Sequence, residues 1–162
     1  DGSPTRHLQL LTKKETKVNL IGMDIEQLSI KDAPEEINQL KTPLIRRQVW
    51  IENSDITLAW AESWWNVEQV RLSLTNTKDP IWKNLTKDRS ELFREVDAIS
   101  IVNSPWLSQK FKDKGPFWSR NYRFFRNKKP LTIIREVFNP AIEKWLGNGD
   151  IDKFSSLYSS ST

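Results

Sequence analysis

Two charged residues, far apart in the chain, are embedded in apolar strand-like runs and define the chemistry that this sequence can support. In Leu44-Ile45-Arg46-Arg47-Gln48-Val49-Trp50-Ile51, alternation puts Arg47 on one face with Ile45, Val49 and Ile51. Arg46 shares the other face with Leu44, Gln48 and Trp50 and is expected to look outward. In Leu131-Thr132-Ile133-Ile134-Arg135-Glu136-Val137-Phe138, Glu136 lies between Ile134 and Phe138 on one face. A charge buried without compensation is strongly destabilising, so each of these groups needs a partner. The planar guanidinium of Arg47 suits bidentate binding of a ligand carboxylate; the plain alternative is an ion pair with a core carboxylate such as Glu62 or Glu136. A carboxyl group on an apolar face becomes more basic unless a cation is near, which suits Glu136 to accept a hydroxyl hydrogen bond or to take a proton. Its plain alternative is a surface glutamate on a strand edge.

Composition removes other chemistries. With no cysteine there is neither a disulfide framework nor a thiolate metal site, and a reducing compartment fits best. The lone histidine, His7, rules out a multi-histidine metal site, and nothing marks it as the oriented base of a nucleophilic serine. The 25 Lys and Arg are interspersed with 21 Asp and Glu, so the net charge of +4 reads as a solvated surface, or as a preference for an anionic small molecule, rather than as a nucleic-acid footprint. No apolar run approaches the roughly 20 residues of a membrane span, and no signal peptide opens the chain. The abrupt start, inside what reads below as a motif, leads us to expect a helical segment upstream.

The elements that must position these residues follow from periodicity. A chain of 162 residues with 37% hydrophobic and 28% charged residues is long and apolar enough for one domain with a real core. Residues 1–150 read as that domain and 151–162 as a frayed Ser-rich tail. His7–Leu11 and Lys17–Met23 read as strands, and Asp32-Ala33-Pro34 starts a short helix ending near Leu40. The Leu44–Ile51 strand turns at Glu52-Asn53-Ser54-Asp55 and returns as Ile56–Trp65, with a small-residue face of Thr57, Ala59, Ala61 and Ser63 that leaves room for a helix or a ligand. Asn66 caps a helix, Asp79-Pro80 starts another, and Ser90–Phe93 reads as helical before a strand over Val96–Val102. Phe117–Arg126 and Leu131–Asn139 form a hairpin through Asn127-Lys128-Lys129-Pro130, and Pro140–Leu146 is a closing helix. The expected fold is α+β: one antiparallel sheet of about six strands, with short helices segregated to one side.

Taken in order, several motifs resemble the chorismate lyases. They are Asp1-Gly2-Ser3-Pro4-Thr5-Arg6, Arg47-Gln48-Val49, Lys78-Asp79-Pro80-Ile81, Trp118-Ser119-Arg120, Lys129-Pro130-Leu131 and Arg135-Glu136-Val137-Phe138. Ser63-Trp64-Trp65 and Phe117-Trp118-Ser119-Arg120 resemble the cyanobacterial and plastid branch. The resemblance implies a monomeric enzyme of cytoplasm or plastid stroma that eliminates pyruvate from chorismate to leave 4-hydroxybenzoate for quinone biosynthesis, plastoquinone being the natural destination. It implies an antiparallel sheet whose short helices form flaps over an internal ligand cavity, no metal, no organic cofactor, and neither nucleic acid nor membrane as partner.

The same resemblance assigns roles by position. Arg47 matches the arginine that binds the ring carboxylate, and Glu136 matches the essential glutamate near the product hydroxyl. Ile81 matches a backbone amide on the carboxylate, and behind Asp79-Pro80 that N–H belongs to a first helical turn, where the macrodipole favours an anion. The enolpyruvyl carboxylate needs a second cation, and Arg120 and Arg123 are candidates on opposite faces of one strand. Two departures from the enterobacterial pattern stand out. Pro4 has no N–H where that pattern offers one, so either Thr5 supplies the donor or the contact is lost, and Glu62 stands near an arginine position, inverting a charge. The alternatives are a non-catalytic effector-sensing domain of the same fold, found in bacterial regulators behind a helix-turn-helix domain for which the abrupt start leaves room upstream, and a nucleic-acid binder using Trp with Lys and Arg. The joint presence of Arg47 and Glu136 favours the enzyme.

Overall fold

The computed structural model describes residues 4–26, 33–73 and 92–145. In chain order these form α1 (Pro4–Thr12), β1 (Lys17–Glu26), a 3-10 turn (Glu35–Gln39), β2 (Leu44–Glu52), β3 (Thr57–Asn66) and α2 (Val67–Ser73). Then come β4 (Leu92–Val102), α3 (Pro105–Phe111), β5 (Phe117–Arg126), β6 (Lys129–Phe138) and a 3-10 turn over Pro140–Trp145. The strands make a single antiparallel sheet in the order β1-β2-β3-β6-β5-β4. Two three-stranded meanders are thus joined along β3 and β6, and the α+β sheet of six strands agrees with the periodicity. Because β3 and β6 are central, both of their faces must be dry. Leu58, Ala59, Trp64, Trp65 and Ile133 are each 0% exposed.

Residues paired across strands share a face, so the register defines two. The front carries Ile45, Arg47, Val49 and Ile51 of β2, Ala59, Ala61, Ser63 and Trp65 of β3, and Ile134, Glu136 and Phe138 of β6. It continues onto Arg120 and Tyr122 of β5. Leu8 of α1 and Ile142 of the last turn pack on Val49, Ala59, Ala61 and Phe138 at one end of this face. Val70 of α2 packs on Trp65, Ile45 and Met23 at the other. These are the short helices over the Arg47 face that the pattern anticipates. Contrary to expectation, the helices are not confined to one side, because the back of a central sheet must be covered too: Leu40 lies on Trp64 and Ile133, while Leu107 and Phe111 of α3 lie on Trp50, Trp60 and Val137.

Three local expectations need correction. His7–Leu11 is helix, not strand. Its buried positions are Thr5, Leu8 and Thr12, a helical spacing in which two threonines hide the apolar stripe, and the Thr12 hydroxyl donates to the Leu8 carbonyl at 2.8 Å. Leu92 and Phe93 begin β4 rather than ending a helix, with Phe93 paired to Phe125 across the edge. The hairpin link is shorter than expected: only Asn127 and Lys128 turn, both with positive φ, the two-residue geometry that matches strand twist. Residues 27–32, 74–91 and 146–162 lie outside the described residues. With them go the start of the first short helix, the Asp79-Pro80 helix start, Ser90 and the tail. Among the described residues no helix is long and apolar enough to cross a membrane.

Candidate active site

The front face brings Arg47 and Glu136 together from opposite sides of β3. Arg47 pairs with Ser63, and Glu136 pairs with Ala61. The two are therefore two strands apart, about 10 Å, and one pleat apart along the strands, about 7 Å. Between the two strands β3 presents Ala61 and Ser63 at this register, with Ala59 beyond, so small side chains line the face there. The alternation of β3 is the local cause: its bulky Trp60 and Trp64 point to the back, and its small residues point to the front.

Arg47 is 2% exposed. Burial depresses its pKa to about 10, because desolvation disfavours the charged form. Ser63, its cross-strand partner, accepts a hydrogen bond from the Trp65 indole at 2.8 Å, which fixes the wall beside the guanidinium. Such a cation is suited to meet a carboxylate.

Glu136 is 3% exposed and held at both oxygens. Arg120 Nε donates to Oε2 at 2.7 Å with Nη2 at 2.6 Å, and the Tyr122 hydroxyl donates to Oε1 at 2.7 Å. Arg120 and Tyr122 are two residues apart on β5, so both face front, and Arg120 is the direct cross-strand partner of Glu136. Burial, reinforced by the Glu136 charge, pushes the Tyr122 phenol well above its ordinary pKa, so it remains a donor. The result is a compact, internally neutral Arg120–Glu136–Tyr122 unit beside the separate Arg47 cation.

The remaining candidates fall as follows. Thr5, 7% exposed, lies in the first turn of α1, three residues before the Leu8 that packs on the front face. Pro4 is the first residue of that helix. Ile81 lies outside the described residues. Arg123 points to the back, where Asp97 receives its Nε at 2.9 Å and Gln39 receives its Nη1 at 2.7 Å. Glu62 also faces the back, so its charge inversion is not on the Arg47 face: Arg46 Nε reaches it at 2.8 Å, and Arg135 Nε reaches it at 2.7 Å. Arg46 thus turns to a buried carboxylate instead of simply outward. The inverted charge serves a structural cluster. Sequence reasoning missed Tyr122 and the Ser63–Trp65 contact. The signal for Tyr122 was present, since it follows Arg120 at the same-face interval. A separate groove of about 640 Å³ lies at the other end of the molecule, lined by Trp50, Trp106, Phe111 and Lys110, and neither Arg47 nor Glu136 borders it.

Solved structures with the same architecture include the effector domain of PhnF from Mycobacterium smegmatis, with a TM-score of 0.63 at 7% identity over 86% of this chain and 90% of that one. The possible transcriptional regulator YydK from Bacillus subtilis aligns with a TM-score of 0.58 at 14% identity, over 78% of this chain and 58% of that one. At such identities the likeness concerns fold alone. In sequence, the ycf21 protein of Cyanophora paradoxa is 34% identical over 144 residues, 88% of this chain and 75% of that protein. The ycf21 protein of Pyropia yezoensis is 30% identical over 146 residues, 90% of this chain and 79% of that protein. These relatives accord with a cyanobacterial or plastid-like branch. A family model described as chorismate pyruvate-lyase Rv2949c-like matches residues 1–146, and the chain belongs to that family.

Proposed function

We propose that this protein is a chorismate lyase. It eliminates pyruvate from chorismate and releases 4-hydroxybenzoate, which supplies quinone biosynthesis in a plastid stroma or cytoplasm. The observation that carries the reading is the placement of Arg47 and Glu136 on one sheet face, a buried cation and a buried anion on the two strands that flank Ala61 and Ser63 of β3. In this reading Arg47 clamps the ring carboxylate, and Glu136 receives the C4 end of the ring. The family resemblance assigns Thr5, Pro4 and Ile81 to the carboxylate end and Arg120 to the enolpyruvyl arm, although the Arg120 charge is already shared with Glu136.

The reaction balances without any group beyond substrate and protein. The proton on C4 leaves, its electron pair becomes the C3–C4 double bond, and the C3–O bond breaks. The departing enolpyruvate takes up a proton and becomes pyruvate. Aromatisation provides the drive, so the site acts mainly by orientation and by electrostatic stabilisation.

The test is incubation with chorismate in EDTA, coupling pyruvate to lactate dehydrogenase and quantifying 4-hydroxybenzoate by absorbance. Equimolar products are expected, and Glu136→Gln should lower kcat by about 100-fold or more while KM changes little. Tight binding of 4-hydroxybenzoate without pyruvate release would instead support a sensing role. Neither binding nor release would reject the site.

A further inference from the structure

We infer that Tyr122 is a positioning residue that sets selectivity for a ligand's para-hydroxyl group, acting through Glu136. The inference rests on reading Arg47 and Glu136 as the two ends of the ligand site. It goes further in assigning a role to a residue that the family resemblance did not point to.

The geometry carries it in three steps. First, Tyr122 is 3% exposed and spends its single O–H on Glu136 Oε1 at 2.7 Å, so the hydroxyl serves the carboxylate. Second, the phenol ring is itself fixed. Arg120 lies over it at 5.0 Å, Arg94 at 5.6 Å, and Phe124 meets it edge-on with centroids 5.7 Å apart. A ring gripped by two guanidiniums and an aromatic edge holds its hydroxyl at one place. Third, Arg120 engages only Oε2 and Tyr122 only Oε1 among their described hydrogen bonds. With Tyr122 in place the carboxylate plane is set by donors at both oxygens. Without it, the described donor at Oε1 is gone and, among the described contacts, Arg120 at Oε2 alone sets the terminal torsion. A hydroxyl-bearing ligand needs that plane aimed at it, whereas a ligand lacking the hydroxyl does not.

The experiment compares binding of 4-hydroxybenzoate and benzoate, followed by quenching of tryptophan fluorescence, in the wild-type protein, Tyr122→Phe, Glu136→Gln and the double variant. The wild-type protein is expected to prefer 4-hydroxybenzoate by about tenfold or more, the scale of one hydrogen bond to a charged group. Tyr122→Phe keeps the ring and its contacts, and it should reduce the preference to about threefold or less while benzoate affinity stays within about twofold. In the Glu136→Gln background the same change should have no further effect, because Tyr122 works through that carboxylate. With chorismate, Tyr122→Phe should lower kcat about tenfold with KM within about twofold. Undiminished preference in Tyr122→Phe, or an equal additional loss in the double variant, would overturn the role. A wild-type protein that binds neither acid would instead reject the site itself, which separates the two failures.

Discussion

Replacing Arg47 by methionine should make the protein more stable and ligand-blind at once. The guanidinium is 2% exposed, and burial lowers its pKa from 12.5 to about 10. At 1.36 kcal/mol per pH unit, keeping that charge on the front face costs about 3 kcal/mol. Methionine is similar in length, unbranched and neutral, and it would pack with Ile45, Val49 and Met23 around the same position. Some packing by the arginine stem is lost, so a gain of about 2 kcal/mol is expected, raising Tm by roughly 5 °C in a chain of this size. The sign with pH follows from the depressed pKa. Below pH 10 the arginine is charged in both folded and unfolded states, so the full penalty operates at neutrality. Above it the folded protein sheds the proton first and the advantage of the variant shrinks. Urea denaturation at pH 7 and pH 10.5 reads both effects, and 4-hydroxybenzoate titration should show at least about a 100-fold loss of affinity. A less stable Arg47→Met protein that still binds the acid would refute the view that this cation is held in place for a ligand.

Other consequences follow from the same contacts. Glu62 is 1% exposed between Arg46 and Arg135, so Glu62→Ala leaves two cations facing each other and should cost about 2–4 kcal/mol in urea denaturation, with kcat within about twofold because the cluster lies on the back face. Loss of turnover at unchanged stability would contradict that assignment. At Glu52, burial works to raise the carboxyl pKa, but hydrogen bonds from Lys110, Thr57 and Asn19 outweigh it and hold the group below the usual carboxylate range. A depressed folded pKa gives stability that is present above the unfolded value and is lost as pH falls through the folded one. Glu52→Gln should therefore flatten the acid limb of a stability–pH curve by about 1 kcal/mol or less, and an unchanged limb would count against it.

Much of this was legible in the chain because the central strands must satisfy two faces at once. Arg47 and Glu136 stood out as charged breaks in the alternation of β2 and β6, and the small front row of β3 marked the space between them. Asn66 also declared its role: its Oδ1 accepts from the Glu68 amide at 2.9 Å, capping α2. The failures share a cause, tertiary context that a local pattern does not carry. Helix α1 buries threonines where leucines would have announced it. Strand β4 lies at the sheet edge and leaves Phe93, Ile99 and Ile101 more than half exposed, so neither helical nor strand periodicity dominates there. Helix α3 went unread although Ser104 caps it with Pro105 next, and its apolar face is understood only once Leu107 and Phe111 meet the back of the sheet. Tyr122 became meaningful only when β5 and β6 were placed in register.

The most direct measurement is a crystal structure with 4-hydroxybenzoate bound. The ring should lie over Ala61 and Ser63, its carboxylate oxygens about 3 Å from the Arg47 guanidinium and its hydroxyl about 3 Å from Glu136. Ring density in the groove by Trp50 and Trp106, with the space between Arg47 and Glu136 filled by protein, would contradict the account.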